Sequence, residues 1–101
     1  PKTPLEVSPT AAERVESLLR DGKRVAWLTS RTEDSRVRSL AASRNLIVVP
    51  MPSDPAAFAT GLYATLHAID RRGLDAIVVD APPAEESWRA VIDRLSRASK
   101  A

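Results

Sequence analysis

The chain has 101 residues, of which 44% are hydrophobic and 28% charged, as expected for one small domain with a single core. It contains no cysteine, which excludes disulfides, thiolate catalysis and zinc sites built from cysteine. No apolar run approaches the roughly 20 residues that span a bilayer, and no signal peptide is visible. We therefore expect no membrane association and a cytoplasmic location.

The charge pattern argues against a nucleic-acid-binding module. Fifteen basic residues face thirteen acidic ones, a net charge of +2, and the two signs are mostly interspersed. Aromatic residues make up only 4% of the chain, so base stacking has little support. We expect no direct contact with nucleic acid.

The first half of the chain predicts two strand–helix units. A short strand is predicted over residues 5–7, and the following "TAAE" has the capping-box spacing, in which Thr10 and Glu13 bond each other's backbone amides. That helix should end at Gly22, where a C-cap favours positive φ. The apolar segment "RVAWLTS" then predicts a central strand over 24–30, and a helix is predicted over 33–44.

The second half predicts two more such units. The run "LIVVP" is typical of a buried strand, and Ser53 or Asp54 can cap the helix that follows, with Pro55 in its first turn. That helix is predicted to reach residue 72, where Gly73 stops it. The run "LDAIVVD" predicts a fourth strand, and a last helix is predicted over 84–98.

The order βαβαβαβα predicts the fold class. Runs such as "LIVV" and "AIVV" lack polar alternation, as strands do when both faces of their sheet are covered. We predict an α/β fold: a three-layer α/β/α Rossmann-like sandwich with a mainly parallel sheet of four or five strands.

The carboxyl ends of the strands are the first place to look for a ligand site. Thr29, Ser30 and Arg31 could present two hydroxyls and a guanidinium to an anion there. However, the chain has only three glycines, widely separated, so it lacks the glycine-rich loop that lets backbone approach a phosphate. Asp80 ends the fourth strand, but the first strand ends without the acidic pair that a magnesium-dependent phosphoacceptor needs. We interpret Asp80 first as a loop or cap residue and keep it, with Thr29, Ser30 and Arg31, as one of four weak ligand-binding candidates.

The third helix carries a polar stripe beside its apolar face. Tyr63, His67 and Asp70 follow one another at four- and three-residue steps and therefore share one side of the helix. They could bond a neighbouring helix or another domain, or form an ordinary solvated flank. His67 has no serine, cysteine or metal-ligand partner at a useful spacing. No group of residues supplies a nucleophile, a base and an oxyanion site together, so we expect no catalytic and no metal-binding residue.

An ordered set of residues runs from the third helix to the end of the chain. It comprises Leu62–Tyr63, Leu66, Asp70, Gly73, Asp75, Asp80, Pro82–Pro83, Asp93–Arg94–Leu95 and Arg97–Ala98. Its order and spacing resemble the C-terminal Sua5 domain of the threonylcarbamoyl-AMP synthase family, and the opening "PKTPLEV" resembles the start of that domain. Two positions depart from the family pattern. His67 stands where arginine is usual, and the glycine common before the last helix is absent near Ser87.

The resemblance implies that residues 1–101 are a single accessory domain and that a catalytic domain, absent from this chain, precedes it through a linker. The parent enzyme would use ATP and Mg to join threonine and bicarbonate into threonylcarbamoyl-AMP, releasing pyrophosphate, for t6A modification of tRNA. The accessory domain would dock on the catalytic domain and gate it, with no cofactor and no catalytic residue of its own. Its fold or interdomain residues would then be Tyr63, Asp70, Asp93 and Arg94.

A second hypothesis is a stand-alone Rossmann-like module that binds a small ligand or nucleotide. It would use the strand-end hydroxyls of Thr29 and Ser30 and the guanidinium of Arg31.

Overall fold

Strands and helices alternate along the whole of the described chain. The computed structural model describes residues 1–99. Its elements are β1 Leu5–Ser8, α1 Ala11–Arg20, β2 Val25–Thr29, α2 Ser35–Leu40, β3 Leu46–Pro50, α3 Pro55–Asp70, β4 Ala76–Asp80, a 3₁₀ turn Glu86–Trp88 and α4 Arg89–Ser99. Gly22 and Gly73 have φ of 76° and 69°, so each supplies the left-handed backbone conformation that follows a helix end.

The four strands form one parallel sheet in the order β1-β4-β2-β3. Ser8 is paired with Asp80, and Leu28 with Val79, so the carboxyl ends of β1, β4 and β2 lie at the same level. This edge of the sheet therefore brings together the strand-end residues that the sequence singles out. The predicted α/β fold class, with a parallel sheet and alternating helices, is confirmed.

Both faces of the sheet are covered, which explains why β2, β3 and β4 show no polar alternation. Val25 and Trp27 of β2 point into a core shared with α1 and α2, whereas Ala26 and Leu28 point into a core shared with α3 and α4. All four side chains are fully buried. Because neighbouring residues of a strand face opposite sides, a sheet buried on both sides needs apolar residues at every position.

Three local predictions are corrected by the structure. Thr10 is the N-cap of α1, but its side chain makes no cap hydrogen bond, so the capping box is absent. Glu13 instead accepts a hydrogen bond of 2.7 Å from the Arg36 guanidinium, which lowers the pKa of Glu13. Helix α2 is six residues long rather than twelve, and α4 begins only at Arg89, after the 3₁₀ turn.

The end of α2 has a local cause. Past Leu40, the Ser43 hydroxyl accepts a hydrogen bond of 3.2 Å from the amide of Asn45, whose own carbonyl bonds the amide of Val25 at 2.8 Å. Such local side-chain bonds compete with helical ones, and here they turn the chain into β3.

Candidate functional site

The carboxyl edge of the sheet carries a hydrogen-bonded group of four side chains, the Asp80 cluster, consisting of Trp27, Thr29, Arg31 and Asp80. The indole Nε1 of Trp27 donates to Asp80 Oδ1 at 2.8 Å, and the Thr29 hydroxyl donates to Asp80 Oδ2 at 2.5 Å. The Arg31 guanidinium lies 3.6 Å from the same Oδ2. Three of the four predicted ligand-binding residues are thus brought together, while Ser30 is exposed to solvent.

The carboxylate of Asp80 binds donors of the protein itself rather than facing a ligand site. Trp27 and Thr29 are at most 1% exposed, and a buried indole N–H or hydroxyl without a partner is costly, so Asp80 satisfies both donors. The same carboxylate faces the guanidinium of Arg31. An anionic ligand at this edge would have to displace a negative charge that the protein supplies itself.

The aspartate at the end of α3 holds the first residues of the chain. Asp70 accepts hydrogen bonds from the backbone amides of Lys2, at 2.8 Å, and Thr3, at 2.7 Å. These amides stabilise the ionised carboxylate and lower the pKa of Asp70 from 3.8 to about 2. The segment leading into β1 is therefore fixed against α3, although the two are 67 residues apart in sequence.

A third aspartate of the same sequence pattern also binds backbone. Asp75 Oδ2 accepts a hydrogen bond of 2.8 Å from the amide of Arg24, directly before β2. Asp70, Asp75 and Asp80 thus each accept a hydrogen bond from a distant part of the chain. These three carboxylates join parts of the fold to one another.

Helices α3 and α4 enclose an open groove of about 810 Å³, here called the α3/α4 groove. Arg94 crosses between the helices, its Nη1 donating to the carbonyl of Ala59 at 2.7 Å. The tyrosine of the predicted stripe, Tyr63, is 83% exposed at the groove. The residues that line it are Pro1, Ala59, Thr60, Leu62, Tyr63, Leu66, His67, Asp70, Arg94, Arg97 and Ala98.

Of the four predicted fold or interdomain residues, three meet at this groove and one does not. Tyr63, Asp70 and Arg94 line it, as does the whole stripe that His67 completes. Asp93 is exposed and lines a smaller depression of about 440 Å³ with Glu85 and Glu86. It forms no ion pair with any residue of 1–99.

For two of these contacts, the sequence indicates that a side chain needs a partner but does not identify the partner. An acidic residue at the end of a helix opposes the helix dipole, so Asp70 requires a compensating donor. A tryptophan in an apolar central strand requires a partner for its indole N–H, and in the structure the adjacent strand β4 supplies Asp80. Neither signal says which distant group answers it.

The described residues do not fit a nucleotide–metal site. Within residues 1–99, no cluster of three histidine, aspartate or glutamate side chains could hold a metal ion. The glycines stand at 22, 61 and 73, far from the strand ends at which a phosphate would be bound. We therefore assign no step through ATP or Mg to these residues. None of the helices within 1–99 combines the length and the apolar character that crossing a bilayer requires.

The fold and these contacts define a class of protein. It is a three-layer α/β domain in which the carboxylates of Asp70, Asp75 and Asp80 bind other parts of the same chain. The particular family follows from comparison with known families. Residues 1–100 match the model of the threonylcarbamoyl-AMP synthase C-terminal domain, and the chain belongs to that family. The comparisons with curated proteins and with solved structures give no significant match.

Proposed function

We propose that this chain is the accessory domain of a threonylcarbamoyl-AMP synthase, which docks on the catalytic domain of the same polypeptide and gates its substrate pocket. The parent enzyme, in the cytoplasm, would use ATP and Mg to make threonylcarbamoyl-AMP for t6A modification of tRNA. The family match to a C-terminal domain is the observation that carries this proposal. In this proposal, residues 1–101 are not catalytic by themselves, and they bind neither tRNA nor a membrane.

The hydrogen bonding of the carboxylates supports a non-catalytic role. A catalytic carboxylate must be able to reach substrate, and a metal-binding one must face other ligands. Asp70, Asp75 and Asp80 instead bind the chain's own donors. The only histidine, His67, is exposed on α3 in the α3/α4 groove, and the Thr60 hydroxyl of the same groove donates to the Ala56 carbonyl at 2.8 Å.

The position of the first residues supports docking. Because Asp70 holds Lys2 and Thr3, a linker that arrives before residue 1 has a fixed point of attachment on α3. A fixed attachment limits the orientations of two linked domains and raises the effective concentration of one at the other. The domain would thereby gate the pocket through its position rather than by supplying a reactive group.

The experiment compares three preparations: the full synthase, the synthase ending before residue 1, and that shortened synthase with residues 1–101 added separately. The readout is pyrophosphate release that depends on threonine, bicarbonate and ATP. We expect the shortened enzyme to lose at least tenfold in kcat/KM and to recover part of it when the domain is added. Equal kcat/KM with and without the domain would rule out gating.

The isolated chain tests the second hypothesis, a stand-alone ligand-binding module. Residues 1–101 are titrated with ATP, Mg and threonine while backbone amide shifts are followed by NMR. We expect no saturable change. Saturable micromolar binding centred on Thr29, Ser30 and Arg31 would instead establish the stand-alone module.

A further inference from the structure

The α3/α4 groove has one wall formed by the very start of the described chain. Pro1 lines the groove together with residues of both helices, and the next two residues are held by Asp70 at the end of α3. Any residue that precedes Pro1 therefore starts from inside the groove. Its direction is restricted because the amides of Lys2 and Thr3 are both fixed.

The groove has room and suitable chemistry for a stretch of extended chain. Its volume of about 810 Å³ lies within the roughly 300–1,000 Å³ of sites that enclose a drug-sized ligand. Leu62 and Leu66 lie in its floor, where both are nearly buried, and Tyr63 is the most exposed of the large hydrophobic side chains in 1–99. An exposed aromatic ring beside an apolar floor gains contact area when a segment covers it.

The charges of the groove indicate what kind of segment it fits. Arg94 and Arg97 line it, whereas the carboxylate of Asp70 is already occupied by two backbone amides. Arg94 donates one hydrogen bond to the Ala59 carbonyl through Nη1, and neither arginine forms an ion pair with any residue of the described part of the chain. A segment with an apolar side chain for Tyr63 and a carboxylate for the arginines would complement both features.

The distances require only a short segment. Tyr63 precedes Asp70 by seven residues of α3, or about 10 Å along the helix at 1.5 Å per residue. An extended chain advances about 3.3 Å per residue, so about three or four residues before Pro1 reach the ring.

We infer that the α3/α4 groove receives the linker segment directly upstream of Pro1, which lies along α3 over Tyr63. This inference rests on the proposed function, because it requires the preceding linker. It makes the linker part of the accessory domain's surface rather than a free tether, and it makes Tyr63 the side chain that anchors the linker.

The test uses thiol accessibility, since residues 1–101 contain no cysteine. A cysteine replaces His67, which is exposed and lines the groove, and in a matched variant a cysteine replaces Ala64, which is exposed on the same helix but does not line it. Each variant is prepared in three lengths: residues 1–101, the same chain with its natural linker of about 20 upstream residues, and the full synthase with its own cysteines replaced. The rate of labelling by a maleimide is measured in each.

We expect the linker alone to slow labelling of His67→Cys at least tenfold relative to residues 1–101 and to leave Ala64→Cys unchanged. Adding Tyr63→Ala to the linker-bearing His67→Cys chain should restore fast labelling, because the anchor is gone. Circular dichroism of each variant verifies that the fold is retained, and a variant that does not fold is replaced by Thr60→Cys, which also lines the groove.

Three results would overturn the inference. Protection of His67→Cys only in the full synthase would assign the groove to the body of the catalytic domain. Fast labelling in all three lengths would leave the groove open to solvent. Equal protection of Ala64→Cys would show that α3 is covered broadly rather than along the groove. The proposed function is tested separately: unchanged adenylate synthesis after deletion of the domain would contradict it.

Discussion

Replacing Asp80 by alanine tests whether the Asp80 cluster is structural. The change removes the acceptor of two donors that are at most 1% exposed, the Trp27 indole and the Thr29 hydroxyl. A hydrogen bond to a charged group contributes about 1.5–3 kcal/mol, and a buried donor left unpaired costs about 1–3 kcal/mol. The Asp80 side chain is itself 21% exposed, so water can enter after truncation and replace part of the loss. We expect Asp80→Ala to lower the free energy of unfolding by about 2–4 kcal/mol.

The assay is urea denaturation followed by circular dichroism, with a thermal melt as a second measure. At about 2.1 cal/mol/K per residue, unfolding 101 residues gains about 0.2 kcal/mol/K, so the expected fall in Tm is about 10–20 °C. Thr29→Val removes one of the two donors and also the hydroxyl that accepts a hydrogen bond of 3.1 Å from the Arg31 amide. Because only the first contact depends on Asp80, Thr29→Val should cost about 1 kcal/mol more in the natural background than in Asp80→Ala. Arg31→Ala is the control. Its side chain is 59% exposed and 3.6 Å from the carboxylate, so the change should stay within about 0.5 kcal/mol.

A loss below about 1 kcal/mol for Asp80→Ala would refute this reasoning, as would an equal cost of Thr29→Val in both backgrounds. The first result would mean that the fold does not need the carboxylate, and the second that the Thr29 hydroxyl is not coupled to it. The strand-end residues would then become candidates for ligand binding again.

The remaining predictions concern the hydrogen bonds that hold the first residues, and two glycines, one inside a helix and one with positive φ. Asp70→Asn should destabilise the domain at neutral pH, and exposed Asp93→Asn should not. Because folding lowers the pKa of Asp70 from 3.8 to about 2, the stability that its carboxylate contributes is complete above pH 3.8 and is lost as the pH falls toward 2. The difference in unfolding free energy between the natural chain and Asp70→Asn, measured by urea titration, should therefore shrink over that range. A difference that stays constant would contradict this prediction. Gly61→Ala, within α3 and with open space around the added Cβ, should raise stability by about 0.5–1 kcal/mol. Gly73→Ala, at φ of 69°, should lower it by about 1–2 kcal/mol in the same thermal melts, and changes of the same sign would refute the backbone argument.

The strands and the layers were accessible from the sequence because they depend on composition alone. The run "AIVV" has no polar face, and a sheet covered on both sides provides a place for it. The helix stops at Gly22 and Gly73 followed equally directly from their conformational freedom. Of the two predicted caps of α3, Ser53 and Asp54, the structure shows Asp54, whose Oδ2 accepts a hydrogen bond of 2.9 Å from the Ala57 amide.

The contacts of the pattern residues were not accessible, because each depends on strand order. Trp27 meets Asp80 only because β4 lies beside β2, and Asp70 meets Lys2 only because the start of the chain passes under the end of α3. Sequence spacing constrains neighbours within one helix or strand, but it contains no information about which distant elements are adjacent. For the same reason the predicted capping box of Thr10 was wrong. Glu13 accepts a hydrogen bond from Arg36, which lies on another helix.

The position of β4 between β1 and β2 also determines when the sheet can form during synthesis of the chain. The first strand bonds no strand other than β4 within the described chain, and β4 is the last of the four to leave the ribosome. Until residues 76–80 emerge, the nascent polypeptide can assemble only the β2–β3 pair, with its first strand unattached. Pairing between strands that are far apart in sequence slows folding. A nascent chain stalled before Ala76 would therefore present a loose N-terminal strand to chaperones and proteases, instead of a smaller finished domain.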